Sequence, residues 1–183
     1  MSHRLACFKA YDIRGRIPDE LNETLAYRIG RAYAALLQPQ RVAVGHDVRT
    51  SSPALSAAVA NGLLDGGADV MDIGLCGTEE IYFAAFHHQL DGGIMLTASH
   101  NPMDYNGMKL VRAKAQPISG DTGLKELQSR AERGRFATAA VSGSHIPVES
   151  KQAYIEHLLS YVDRAALKPL KIVVNAGNGG AGL

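Results

Sequence analysis

Apolar positions along the chain follow two alternating periods. Leu21, Leu25, Ile29, Ala32 and Leu36 recur at three- to four-residue intervals, which gives one apolar face to a helix over about 22–37. The short run 41–45 predicts a strand. Ser52-Pro53 reads as an N-cap followed by proline at the first helical position, and Leu55, Val59, Leu63 and Leu64 carry a second helix to Gly66-Gly67. A strand at 69–73, a helix at about 79–88 and, beyond Asp91-Gly92-Gly93, a buried strand at 93–96 come next. The unit of helix, Asp-Gly-Gly and strand thus occurs twice. That alternation predicts an α/β fold, a mainly parallel sheet with helices on both faces.

Further on, a strand at 108–111 and a polar helix over about 120–133 complete a first domain, 1–135. Residues 136–148 are small and weakly patterned, as in a connection between domains. A helix at 149–162, with Tyr154, Leu158 and Tyr161 on one side, and a strand at 171–175 then begin a second domain, 149–183. A helix and one strand cannot bury their apolar faces alone, so the part after Ser144 is expected to be loosely docked or prone to association. Proteases are expected to cut first at 136–147.

The stretch Leu96-Thr97-Ala98-Ser99-His100-Asn101-Pro102, continued by Asp104-Tyr105-Asn106-Gly107 and closed by Lys109, gathers a hydroxyl, an imidazole and an amine. Ser99 falls just beyond a strand's carboxyl end, where open α/β sheets place ligands. Asn106-Gly107 has the form of a hairpin turn. If 108–111 folds back beside 94–97, a nucleophile and a proton-transfer group come to share one pocket. Ser, His, Asn and Pro also form ordinary turns, so residue types alone leave a structural loop equally open.

Composition narrows the function classes. The 19 Lys plus Arg against 18 Asp plus Glu leave no global basic field for nucleic acid or an anionic membrane. No apolar run approaches the ~18 residues of a membrane helix. Cys7 and Cys76 are too few for a disulfide framework and lack metal-ligand neighbours, which suits free thiols in the cytoplasm.

The literal string Thr97-Ala98-Ser99-His100-Asn101-Pro102 with Tyr105-Asn106-Gly107 and Lys109 resembles the active-site loop of the α-D-phosphohexomutases. Phe8-Lys9-Ala10-Tyr11-Asp12-Ile13-Arg14-Gly15 is similar to that family's N-terminal segment, Val44 to Ser52 to its second, and Lys171 to Gly182 to the opening of its second domain. Gly74-Leu75-Cys76-Gly77-Thr78-Glu79 departs from the family's usual Thr-Pro loop and resembles bacterial phosphomannomutases that feed GDP-mannose synthesis.

The resemblance implies that Ser99 is the phosphorylated nucleophile, passing its phosphoryl group to a hexose phosphate, mannose 6-phosphate or mannose 1-phosphate with glucose phosphates as the alternative, and regaining one from a bisphosphorylated sugar. It implies Lys109 as general base and acid, and His100 and Arg14 beside the moving phosphoryl group. Tyr11, Lys9 and Asn101 are its substrate contacts. Mg2+ is implied as cofactor, held through the Ser99 phosphate. The family's Asp-x-Asp-x-Asp metal cluster is absent from this sequence. The chain is therefore expected to be an N-terminal part that is inactive alone.

Simpler assignments compete for several residues. Arg14 could merely pair with Asp12, and Thr50-Ser51-Ser52-Pro53 could serve only to cap a helix. Asp47, Arg49 and Ser51 are expected to order the loop beneath the site, and His87-His88 to favour a helix dipole at the surface. Gly177-Asn178-Gly179-Gly180-Ala181-Gly182 satisfies G-x-G-x-x-G after a strand, but a dinucleotide site needs a following helix, strand and acidic residue. A non-catalytic association module is the other alternative.

Overall fold

The structure, a computed structural model, describes residues 5–177. Its first compact unit runs through Ser150 and the second begins at Lys151.

In the first unit the elements follow as β1 (Ile13–Arg16), α1 (Glu23–Leu37), β2 (Arg41–His46), α2 (Ser52–Asp65), β3 (Asp69–Leu75), α3 (Thr78–His87), β4 (Gly92–Leu96), β5 (Tyr105–Arg112), β6 (Gln116–Pro117), α4 (Lys125–Arg133) and β7 (His145–Pro147). The sheet has the order β1-β5-β4-β2-β3-β7, with β6 on β5. Strands β4, β2, β3 and β7 run parallel, and β5 is antiparallel to β4, β1 and β6.

Strand alternation assigns the two faces. Val42 and Val44 of β2 and Ile94 and Leu96 of β4 enter one core with Ile29 and Tyr33 of α1 and Leu55, Val59 and Leu63 of α2. Ala43 and Met95, one position out of phase, enter a smaller core with Ile81 and Ala84 of α3. Helices thus cover both faces, as the sequence predicts. Asn22 caps α1, accepting from the Leu25 amide at 3.0 Å.

Four local expectations change. Asn106-Gly107 is not a turn but lies inside β5, paired with Gly15 and Arg14 of β1, and the chain reverses over 97–104 instead. Helix α2 includes Ser52, its N-cap position Ser51 has αR backbone and makes no side-chain cap bond, and Asn106 donates to both hydroxyls. The 136–148 connection is not free. Its end pairs with β3 as β7, and Gly143 N, Ser144 O and Val148 N bond the Leu64 carbonyl, the Val70 amide and the Asp72 carbonyl. The strand expected at 171–175 does not form, since no partner strand lies beside it among the described residues. Of the G-x-G-x-x-G run, all but Gly177 lies outside the described residues.

In the second unit, α5 (Lys151–Ser160) has no buried residue, and Ile172, Val173 and Val174 are exposed. No helix among the described residues is long and apolar enough to cross a membrane.

Candidate active site

The carboxyl end of β4 carries Thr97 and Ala98, both buried, and then Ser99, whose backbone takes the left-handed conformation at φ +53°. A serine adopts that geometry only when its surroundings hold it there. Local bonds begin the work: the Ser99 amide donates to Thr97 Oγ1 at 2.9 Å, Asn101 N to Ala98 O at 3.1 Å, and Tyr105 N to Pro102 O at 3.0 Å. Ser99 Oγ lies 3.3 Å from Nδ1 of the exposed His100.

Arg49, on the loop after β2, completes it. Its Nη1 donates to the carbonyls of Pro102 (2.7 Å) and Tyr105 (2.9 Å), and its Nη2 to those of Ser99 (2.9 Å) and Asn101 (2.6 Å). Asp47 lies 3.4 Å from Arg49 Nε and accepts from the Arg49 amide and from Ser52 Oγ. Asn106, wholly buried, donates to the hydroxyls of Ser51 (2.8 Å) and Ser52 (2.9 Å). The second segment of the sequence therefore does order the loop, through contacts that helix capping does not explain.

Arg14 enters from β1. Its Nη1 donates to Asn101 Oδ1 and its Nη2 to Asp12 Oδ2, both at 2.6 Å, while its buried Nε has no partner among the described residues. Pairing with Asp12 and service to the loop are thus both real. The β1–β5 ladder sets Arg14 opposite Gly107, where an added Cβ would lie 2.2 Å from the Ile13 carbonyl and 2.9 Å from that of Thr97. Only glycine permits this approach. At the loop's far end Ile17 N bonds the Asp104 carbonyl, and Arg16 pairs with Asp104 (3.2 Å) and lies over the Tyr105 ring. Tyr105 first, then Asp104, raises the Arg16 guanidinium's pKa above its ordinary value.

Of the residues singled out from sequence, the structure brings together Ser99, His100, Asn101 and Arg14. Lys109 stands opposite Met95 in the β4–β5 ladder, four positions before Ser99. Lys9 donates its ammonium to the Ala6 carbonyl at 2.7 Å, and Tyr11 is 80% exposed. No hydrogen bond links Lys9, Tyr11 or Lys109 to the Ser99 loop among the described residues. Asn106 was hidden from sequence reasoning by its turn signature.

Mg2+ favours octahedral oxygen ligation with at least one or two carboxylates. Among the described residues no three His, Cys, Asp or Glu side chains gather. Asp12, Asp47 and Asp104 are each paired with an arginine. These residues do not make a magnesium site by themselves. Both cysteines are buried thiols, and burial pushes the Cys7 thiol up to about 11.

A profile for "Phosphoglucomutase/phosphomannomutase, alpha/beta/alpha domain I" matches residues 6–138. The chain is 60% identical over 181 residues to a phosphomannomutase of Salmonella typhimurium, covering 98% of this chain and 40% of that protein. It is 60% identical over 179 residues to a Xanthomonas campestris protein named "Phosphohexose mutases", again covering 98% and 40%. A crystal structure of a phosphoglucomutase/phosphomannomutase family protein from Burkholderia thailandensis superposes with a TM-score of 0.76 at 37% identity, covering 84% of this chain and 35% of that one. The chain thus spans about 40% of the length of the curated relatives it matches.

Proposed function

Because the chain belongs to the phosphoglucomutase/phosphomannomutase family, we propose that it carries the phosphoserine loop of a phosphomannomutase, which interconverts mannose 6-phosphate and mannose 1-phosphate in the cytoplasm. The observation that supports this best is the conformation of Ser99: a small, accessible hydroxyl at a strand's carboxyl end, held at φ +53° with His100 and the Arg14–Asn101 pair beside it. The complete reaction belongs to a polypeptide that includes the parts of the relatives this chain does not match.

In the first transfer a bond forms from a sugar hydroxyl oxygen to phosphorus while the bond from phosphorus to Ser99 Oγ breaks. The hydroxyl proton passes to Lys109, and the Ser99 oxygen keeps the electron pair of the broken bond as an alkoxide beside Arg14 and His100. The bisphosphorylated sugar then returns its other phosphoryl group to Ser99 Oγ, and Lys109 gives the proton back to the departing sugar oxygen. The net change is isomerisation. Phosphoryl transfer depends on positioning and on stabilising spread negative charge, about −1.5 to −2 on a phosphoserine. Arg14 and His100 supply cationic and donor groups for that charge, and Lys9, Tyr11 and Asn101 are the substrate contacts. Mg2+ belongs to this reading: the Ser99 phosphate would be one of its oxygen ligands, and the ion would offset charge on the moving phosphoryl group.

The test is a chimera joining this chain to the unmatched C-terminal remainder of the Salmonella typhimurium relative. Mass spectrometry is expected to find a phosphate ester on Ser99, and mannose 6-phosphate to be converted to mannose 1-phosphate. Ser99→Ala is expected to lose nearly all turnover with the fold intact, and turnover at the unaltered rate in that variant sinks the assignment.

A second reading, an association module without catalysis, draws on the exposed Ile155, Leu158 and Leu159 of α5. Concentration-dependent self-association of the 183-residue chain without phosphate on Ser99 is its signature.

A further inference from the structure

Four backbone carbonyls of one loop, from Ser99, Asn101, Pro102 and Tyr105, converge on the guanidinium of Arg49. A guanidinium has five N–H donors in a rigid fork. Four are taken by these carbonyls and the fifth, on Nε, faces Asp47. The Arg49 side chain is only 13% exposed and that of Asp47 20%, so water competes weakly for these bonds. Asp47 is in turn fixed by Ser52 Oγ at 2.6 Å, and Asn106, on the strand that leaves the loop, reaches Ser52. The loop is fastened at both ends by one polar chain.

This fastening has a directional result. In a trans peptide the N–H points opposite to the C=O. With the Ser99 carbonyl drawn onto Arg49, the His100 N–H is turned away from the clamp. The same bond holds Ser99 in a left-handed conformation that a free serine disfavours.

We propose that Arg49, held by Asp47, is the positioning residue of the phosphoserine loop: it fixes Ser99 in the left-handed conformation and presents the His100 backbone N–H to a phosphoryl group on Ser99. The clamp rests on the phosphoserine reading of Ser99, but its geometry can be tested without turnover. The probe is the 183-residue chain with phosphoserine installed at position 99 during synthesis. Phosphorus NMR reads the phosphate, and amide hydrogen exchange reads the loop.

With Arg49 present, the phosphoserine resonance is expected away from that of a phosphoserine peptide, and the His100 amide is expected to shift when phosphate is present. In Arg49→Met the resonance moves to the peptide position. Amides of 99–105 then exchange about tenfold faster or more, while those of Met95 and Leu110 in the sheet stay protected. Arg49→Lys keeps the charge beside Asp47 but cannot reach four carbonyls, so it restores the ion pair and not the loop's protection. Should the methionine variant lose protection in the sheet as well, the lysine variant decides. Unchanged loop exchange and an unchanged phosphorus resonance in a folded variant overturn the clamp. A clamp that behaves as expected in a chain whose phosphoserine never passes its phosphoryl group to a hexose phosphate, even within the chimera, overturns the mutase reading instead.

Discussion

Arg14 and Lys109 leave the same face of the sheet: Arg14 pairs with Gly107 across β1 and β5, and Lys109 follows Gly107 by two positions. Diagonal neighbours of this kind stand about 7–8 Å apart at their Cα atoms. Arg14 is already paired with Asp12 at 2.6 Å, so a phosphoryl group would be a second anion beside this face.

The consequence for Lys109 is kinetic. In the chimera, Lys109→Met is expected to lower kcat by at least the roughly 100-fold of a general acid–base contribution, with a smaller change in KM. Steady-state assays with mannose 1-phosphate check this. A raised KM with kcat intact would make Lys109 a phosphate anchor and leave the proton transfer to another group.

Gly107→Ala should damage stability and the loop together. The new Cβ would press on the Ile13 carbonyl at 2.2 Å and the Thr97 carbonyl at 2.9 Å, backbone atoms with little freedom to yield. Overpacking of this kind costs roughly 1–3 kcal/mol. Urea denaturation of the 183-residue chain is expected to show a lower midpoint at unchanged slope, and exchange at residues 97–99 to quicken. Unaltered stability would mean that β1 can shift away from β5.

Much of this arrangement is legible in the sequence, and the exceptions share a cause. The periodic stripe of Leu25, Ile29 and Ala32 marks the buried face of α1, and the apolar run before Ser99 marks β4. Asn106-Gly107 carries a local turn signature, yet tertiary contacts override it: Asn106 is buried against Ser51 and Ser52, and Gly107 against β1. Strand β1, Ile-Arg-Gly-Arg, has no apolar alternation to announce it. Strand β7 comes from a small polar segment that pairs because β3 offers it an edge. The loop-ordering role of Arg49 could be anticipated, but its four acceptors are carbonyls, which no side-chain pattern encodes.

His88 makes stability depend on acidity, and not in the direction expected of a dipole-stabilising cation. Its Nε2 is buried and has no partner among the described residues, and burial, then His87, then Arg41 lower its pKa below 6.5. The unfolded chain takes up the proton first, so this contribution is complete above pH 6.5 and is lost as pH falls through that value. Relative to His88→Asn, the unaltered chain is expected to lose more stability between pH 7 and pH 5 in parallel urea titrations. Equal losses in both chains would show that His88 is protonated in the folded state at no penalty.

The pattern of bonds at the end of the first unit moves the expected site of proteolysis. The segment 136–148 is held at both ends, since the Ala137 carbonyl accepts from Arg31, Gly143 and Val148 donate to backbone, and Ser144 N is bound by Asp69. A protease needs backbone that can yield, and the two ends of this segment are tied to α1, α2 and β3. Beyond α5, residues 168–176 carry no helix or strand, and Leu170, Ile172, Val173 and Val174 are exposed. Limited chymotrypsin digestion is therefore expected to cut first after residues from Tyr161 onward, then within α5, leaving a resistant core that ends near Ser150. Mass spectrometry of the timed products reads the order. First cleavage at Phe136, with the later part intact, would show that β7 does not hold its place on the sheet in solution.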